Sequence, residues 1–195
     1  MKFKTILFAS FIVFVNCKNP SPEQENDSNL TLKESFKNEF LMGMAINEEI
    51  SSGKDSVSQN IILKQFNSIT PENVMKAERI NPKPGVYNFK PADDFVAFGK
   101  KHKMFIIGHT LIWHNQTPAW FFQDKNGNPN TKEAQMERMR SHIETIAGRY
   151  AGKVQAWDVV NEVLGEDGAY RPTTWVNSIG NGDTLVKNAF KFASI

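Results

Sequence analysis

Short apolar runs and amphipathic helical stretches alternate four times along this chain, and no other feature limits the fold as much. Phe40 to Ile46 (FLMGMAI) is apolar enough for a buried strand. Ser56 to Phe66 then sets Val57, Ile61, Ile62 and Phe66 at helical spacing. Ser68 to Thr70 predicts a second strand, stopped at Pro71. Pro91 to His102 carries Ala92, Phe95, Val96 and Phe98 and predicts a second helix, followed by an apolar strand from Met104 to Ile107. Met136, Met139, Ile143, Ile146 and Tyr150 follow alternating three- and four-residue steps, a clear amphipathic helix, with Asn130 and Glu133 resembling its N-terminal cap. Val154 to Val160 predicts a fourth strand and Thr184 to Ser194 a fourth main helix. Apolar strands covered by helices predict a parallel sheet of the α/β class. A doubly wound sheet and a barrel both fit, and periodicity does not separate them. The chain has neither an internal repeat nor a glycine-rich phosphate loop after a strand. Its 195 residues are short for a complete eight-stranded α/β barrel, typically ~250 residues.

The N-terminus lies outside this pattern. Residues 1–17 (MKFKTILFASFIVFVNC) join Lys2 and Lys4 to an apolar stretch, Ile6 to Val15, that ends at Cys17. That is the layout of an export signal. It resembles a bacterial lipoprotein signal in which Cys17 is the lipidated first residue, although Asn16 stands where a small residue is usual. The alternative is an ordinary cleaved signal with an incidental cysteine. Either way the chain is expected to be exported, as a membrane-anchored lipoprotein of the periplasm or cell surface, or otherwise as a secreted protein. Residues 18–32 are mostly polar and are expected to form a flexible tether, leaving 33–195 as the folded domain. A single cysteine excludes an intrachain disulfide framework and a cysteine-rich zinc site. A net charge of +2 argues against a dedicated nucleic-acid binder. No cofactor and no obligate protein partner are expected.

The polar residues gather where each strand ends, which is where parallel α/β folds build active sites. The second strand ends in Thr70-Pro71-Glu72-Asn73, with Lys76 a turn later; the third in Gly108 to Gln116; the fourth in Trp157 to Glu162. On the end of an apolar strand, Glu162 is held rigidly and is suited to donate a proton to a leaving group, or else it caps a helix or forms a salt bridge. Glu72, Asn73 and Lys76 are suited to grip hydroxyl groups, or else they are a solvated helix start. Trp113 and Trp120 either fill a core or stack on a sugar face. His109 and His114 have no further carboxylate or histidine at ligand spacing, so no metal site is expected. No Gly-x-Ser-x-Gly elbow supports acyl transfer.

At these residues the chain resembles glycoside hydrolase family 10, the endo-β-1,4-xylanases. The stretches that carry the resemblance are NSITPENVMK (Asn67 to Lys76), GHTLIWHNQTPAW (Gly108 to Trp120) and WDVVNEVLGEDG (Trp157 to Gly168), with VYNF (Val86 to Phe89) and GRYAGKVQAWD in support. The Asn-Glu pair alone is shared by a clan of barrel glycosidases; the first two stretches narrow it to the xylanases. The resemblance runs from about residue 33 to the end and implies a (β/α)8 TIM barrel, of which the chain would be the first four β/α units. It implies endo-acting, retaining hydrolysis of β-1,4-xylosidic bonds in xylan or xylo-oligosaccharides. Glu162 would be the acid/base. Asn161 would bond the sugar 2-hydroxyl. Glu72, Asn73, Lys76, His109, Trp113 and Gln116 would hold sugars on the non-reducing side, with His114 and Asp158 behind them. Ala77-Glu78 replaces the tryptophan and aspartate the family often has there. The family's nucleophile, a glutamate on strand seven in a Thr-Glu-Leu-Asp-like segment, has no counterpart here. The chain is therefore read as the N-terminal half of such an enzyme, inactive alone. The alternative is a surface xylan- or glycan-binding protein that has lost catalysis.

Overall fold

The computed structural model describes residues 30–194. The expected signal at residues 1–17, with Cys17, and the tether up to residue 29 lie outside the described residues. Thr31 and Leu32, assigned to the tether from sequence, are instead the N-cap and first residue of a short helix, α1 (Leu32–Ser35). Thr31 and Glu34 close a reciprocal capping box there.

Four strands follow: β1 (Gly43–Ile46), β2 (Ser68–Pro71), β3 (Phe105–Ile112) and β4 (Ala156–Val160). They form one sheet in the order β1-β2-β3-β4, and every pairing is parallel. The helices between them are α2 (Glu48–Ser51), α3 (Ser56–Gln65), α4 (Ala77–Ile80), α5 (Lys90–Lys101) and α6 (Lys132–Arg149), and α7 (Thr174–Ile179) and α8 (Gly182–Ala193) follow β4. Sequential parallel strands in chain order, each followed by helix, are the beginning of a barrel; a doubly wound sheet would reverse its order.

The core forms where helices meet sheet. Phe95, Val96 and Phe98 of α5 and Met139, Ile143 and Ile146 of α6 are buried. α5 approaches the sheet closely at Gly99, where an added Cβ would lie 2.6 Å from Ile106 Cδ1 and 3.0 Å from Ile69 Cδ1. Asp93 of α5 ties to α6 through Arg149 (Nε 2.9 Å, Nη2 2.5 Å) and the Tyr150 hydroxyl (3.0 Å).

Four expectations need correction. The first strand is not buried: Gly43, Met44 and Ala45 are exposed and only Ile46 is covered, because β1 pairs on one side only among the described residues. In α3 the apolar row Val57–Ile61 faces outward, and Ile62 forms the buried contact. The third strand does not stop at Ile107 but runs to Ile112, with one extra residue against β4 between His109 and Ile112. Finally, Thr131 rather than Asn130 caps α6, accepting from the Ala134 N–H at 3.2 Å. Asn130 instead donates to the Phe121 carbonyl at 2.9 Å.

Candidate active site

Each group at the rim is placed by the strand that delivers it. β2 leads directly into Glu72, whose N–H donates to the Ile46 carbonyl of the neighbouring strand at 2.9 Å. Glu72 is exposed beside a hollow of about 310 Å³ that it lines with Asn73, Asn47 and Arg79. One turn later Lys76 Nζ donates to Asn73 Oδ1 at 3.0 Å and sits 4.7 Å from the centre of the Trp113 ring. The ammonium thus joins the β2 and β3 groups, with a cation–π contact as one of its two links.

The bulge in β3 falls between His109 and Ile112, just ahead of Trp113. A bulge of this kind bends the strand and re-aims the side chains that follow. His109 stays in register opposite Asp158 of β4, and its Nδ1 lies 2.9 Å from Asp158 Oδ2. The carboxylate holds one ring nitrogen and thereby fixes the imidazole plane. Thr110 reinforces the same strand pair, its hydroxyl donating to the Asp158 carbonyl at 2.8 Å. The Trp113 carbonyl receives two side-chain donors, the Thr117 hydroxyl at 2.7 Å and Trp175 Nε1 at 3.1 Å.

At the end of β4 the Asn161 N–H donates to the Ile112 carbonyl at 2.9 Å, continuing the ladder by one step. Glu162 then turns into the left-handed region, with φ of 51°. That conformation is uncommon for a glutamate, and such outliers cluster at functional sites. Its Oε2 accepts from Trp113 Nε1 at 2.9 Å and lies 3.8 Å from His114 Nε2. Both contacts fall on the same oxygen, which leaves Oε1 without a protein partner among the described residues, and the side chain is 49% exposed. The arrangement fixes the carboxyl in direction while keeping one oxygen accessible to a ligand.

Of the residues singled out from sequence, Lys76, Asn73, Trp113, His114 and Glu162 form one connected set, with His109 and Asp158 paired beside it. Gln116, in the loop after β3, is tied instead to Glu78, its carbonyl accepting the Glu78 N–H at 2.8 Å. Trp120 stands apart: it stacks on Phe121 at 4.0 Å, under the Arg138 guanidinium, and donates to the Asn81 carbonyl at 3.3 Å. It is a packing residue. Thr117 and Trp175, which pin the Trp113 backbone, are not identifiable by sequence reasoning. Their partner is a main-chain carbonyl, and for Trp175 it lies 62 residues away.

Comparison with known proteins bears on the family and the fold. The family model for glycosyl hydrolase family 10 matches residues 31–194. Endo-1,4-beta-xylanase A of Caldicellulosiruptor saccharolyticus is 43% identical over 167 residues, covering 85% of this chain and 47% of that protein. Endo-1,4-beta-xylanase A of Xylanibacter ruminicola is 40% identical, over 84% of this chain and 44% of that one. Among solved structures, a family 10 endoxylanase from a sugarcane soil metagenome superimposes with a TM-score of 0.78 at 41% identity, covering 83% of this chain and 47% of its own. A mutant solved in complex with xylotriose gives 0.77 at 42% identity, over 84% and 49%. The chain spans about half the length of these relatives. A family match over nearly all described residues, relatives at about 40% identity and four parallel strands that superimpose on half of a solved barrel lead to one assignment: the chain belongs to glycosyl hydrolase family 10, a family of (β/α)8 barrels of which these residues form four consecutive units.

Proposed function

We propose that this chain supplies the acid/base and the glycone-side contacts of a retaining endo-β-1,4-xylanase. The observation that carries the reading is the half-exposed Glu162 carboxyl, held through one oxygen by Trp113, whose ring in turn carries Lys76 and, through it, Asn73. In the first step Glu162 gives its proton to the glycosidic oxygen as the bond from that oxygen to the sugar C1 breaks. A second carboxylate attacks C1 and holds the sugar as a glycosyl ester. Glu162, now ionised, then takes a proton from water, which attacks C1 and releases the ester. Retention needs the two carboxyls ~5–5.5 Å apart. The family resemblance puts the second one on strand seven, beyond the four strands described. Glu72, Asn73 and Lys76 grip the sugar hydroxyls, with Asn161 at the 2-hydroxyl. Xylan or xylo-oligosaccharide is the substrate, in keeping with the xylotriose held by one solved relative.

The test uses the full-length gene product. Glu162→Ala removes general acid/base assistance, typically worth ~10²–10⁴-fold. Loss on xylan, whose leaving group is poor, should exceed the loss in the first step on an aryl xylobioside with an acidic phenol. Added azide should restore turnover of the aryl substrate, because it attacks the glycosyl ester without needing a base. Equal loss on both substrates with no azide rescue refutes the role.

A further inference from the structure

The three carbonyls that lead out of β3 are each held by a different element. The Trp113 carbonyl takes the Trp175 indole from α7, and the Ile112 carbonyl takes the Asn161 N–H from the end of β4. The Leu111 carbonyl lies 3.1 Å from Nε2 of His142, a residue of α6. Among the described residues no other side chain donates to it. Leu111 sits inside the bulge, where β3 sets one extra residue against β4. A bulge disrupts the ladder locally, so a donor from another layer holds the strand on its course there.

His142 reaches that carbonyl from the core, where both residues are buried. Phe121 packs against the imidazole edge to face, with ring centres 5.0 Å apart. Burial pushes the imidazole down to about 4, against the opposing pull of the Leu111 carbonyl, so at neutral pH the ring carries a single N–H. A carbonyl only accepts, which puts that hydrogen on Nε2. Nδ1 faces the Asn81 side-chain amide at 3.4 Å, a long and weaker contact. An apolar side chain would fill the same space, as Met139, Ile143 and Ile146 do on this face of α6. What the imidazole adds is the donor.

The path from His142 to the acid is short. Leu111 stands two residues ahead of Trp113, and the Trp113 indole donates to Glu162 Oε2 at 2.9 Å. We propose that His142 is a positioning residue for the reaction: from the helix layer it sets the course of β3 through the bulge, and with it the line along which Trp113 meets Glu162. The proposal rests on the xylanase reading of the rim and adds to it a residue too buried to touch the sugar.

Full-length His142→Leu, His142→Gln and Ile146→Val are compared with wild type. His142→Leu fills the space without a donor. His142→Gln presents an amide N–H where Nε2 lies. Ile146→Val loosens the same helix face without touching the Leu111 carbonyl. On xylan, kcat should fall about two- to tenfold in His142→Leu, the equivalent of one neutral hydrogen bond, with KM little changed. The first step on an aryl xylobioside with an acidic phenol should be spared, and His142→Gln should recover most of the loss. Ile146→Val should lower thermal stability with no dependence on the leaving group. A second readout does not depend on activity. In protein carrying isotope-labelled tryptophan, the Trp113 indole N–H resonance, assigned by its absence in Trp113→Phe, should move in His142→Leu and return toward its wild-type position in His142→Gln. An unmoved resonance in His142→Leu, equal loss on both substrates, or His142→Gln behaving as His142→Leu does overturns the proposal and leaves the xylanase reading standing. The same leaving-group dependence in Ile146→Val also overturns it, because general loosening then accounts for the effect. Wild type inactive on xylan overturns the xylanase reading itself, and the proposal falls with it.

Discussion

Trp113 and Glu162 are bonded across the rim, indole Nε1 to Oε2 at 2.9 Å, although 49 residues separate them. The bond ties the loop after β3 to the end of β4 and gives the carboxyl a fixed direction. Trp113 is itself held, its carbonyl by Thr117 and Trp175 and its ring by Lys76. A proton donor placed through a partner restrained on three sides does not have to be oriented again at each turnover.

Trp113→Phe should keep an aromatic face and remove the donor. A hydrogen bond to a charged group contributes about 1.5–3 kcal/mol, which sets the expected loss in kcat on xylan at about ten- to a hundredfold. KM should change less, because the ring surface remains. On an aryl substrate with an acidic leaving group the first step should be nearly spared. Steady-state and single-turnover kinetics of the full-length protein check this, and an equal loss on both substrates would place the effect of Trp113 in binding rather than in aligning the acid.

Gly108 and Trp157 are partners in register across β3 and β4, and a Cβ on Gly108 would run into the Trp157 ring. Gly108→Ala should therefore destabilise by about 1–3 kcal/mol, the usual cost of overpacking. The urea midpoint should fall at constant slope. Trp157→Leu should cost less in the Gly108→Ala background than alone, since the two changes relieve each other. Additive costs would place the strain elsewhere.

The helices α5 and α6 were legible because their apolar residues repeat at helical spacing and fall on one packed face. The rim was legible for a different reason: polar residues following apolar strands in Glu72-Asn73, His109 and Asn161-Glu162 have no reason to sit there unless the strand ends present them. What sequence did not disclose depends on contacts distant in the chain. The outward face of β1 follows from which neighbours cover it. The extent of β3 follows from pairing with β4 through Ile112, which local hydropathy at His109 and Thr110 conceals. Asn130 and Thr131 are adjacent and both suited to cap a helix. The choice between them is made by Phe121, whose carbonyl takes the Asn130 amide. The left-handed turn at Glu162 leaves no trace in residue type, since glutamate does not favour it.

The N-terminal residues carry a prediction independent of the barrel. Lys2, Lys4, the apolar stretch to Val15 and Cys17 resemble the parts of a lipoprotein export signal, and we propose that Cys17 is lipidated. Radiolabelled palmitate should attach to the protein in its bacterial host and be lost in Cys17→Ala. Label persisting in that variant would exclude lipidation at Cys17 and leave a cleaved secretory signal as the reading.

Acid should weaken the junction between α5 and α6 through Asp93. The Arg149 guanidinium hydrogen-bonded to Asp93 holds its carboxyl below the usual carboxylate range, and the Tyr150 hydroxyl adds to this against the opposing effect of burial. A carboxyl whose folded pKa lies below its unfolded value, ~3.9, favours folding whenever both states are ionised. That contribution is complete above the unfolded pKa. It is lost as the pH falls through the lower folded value, because the unfolded chain takes up its proton first. The side chain is 38% exposed, so solvent screening keeps the contribution small. Asp93→Asn should lower stability at neutral pH and make the acid limb of the stability profile shallower. The gap between wild type and variant should narrow as the pH drops below about 4, where the unfolded chain takes up a proton at Asp93 while the folded one stays ionised, and vanish once the folded form is protonated too. Urea midpoints between pH 7 and 3 measure the gap directly. A gap that stays constant across that range would show that Asp93 acts through packing or neutral hydrogen bonding, not through its charge.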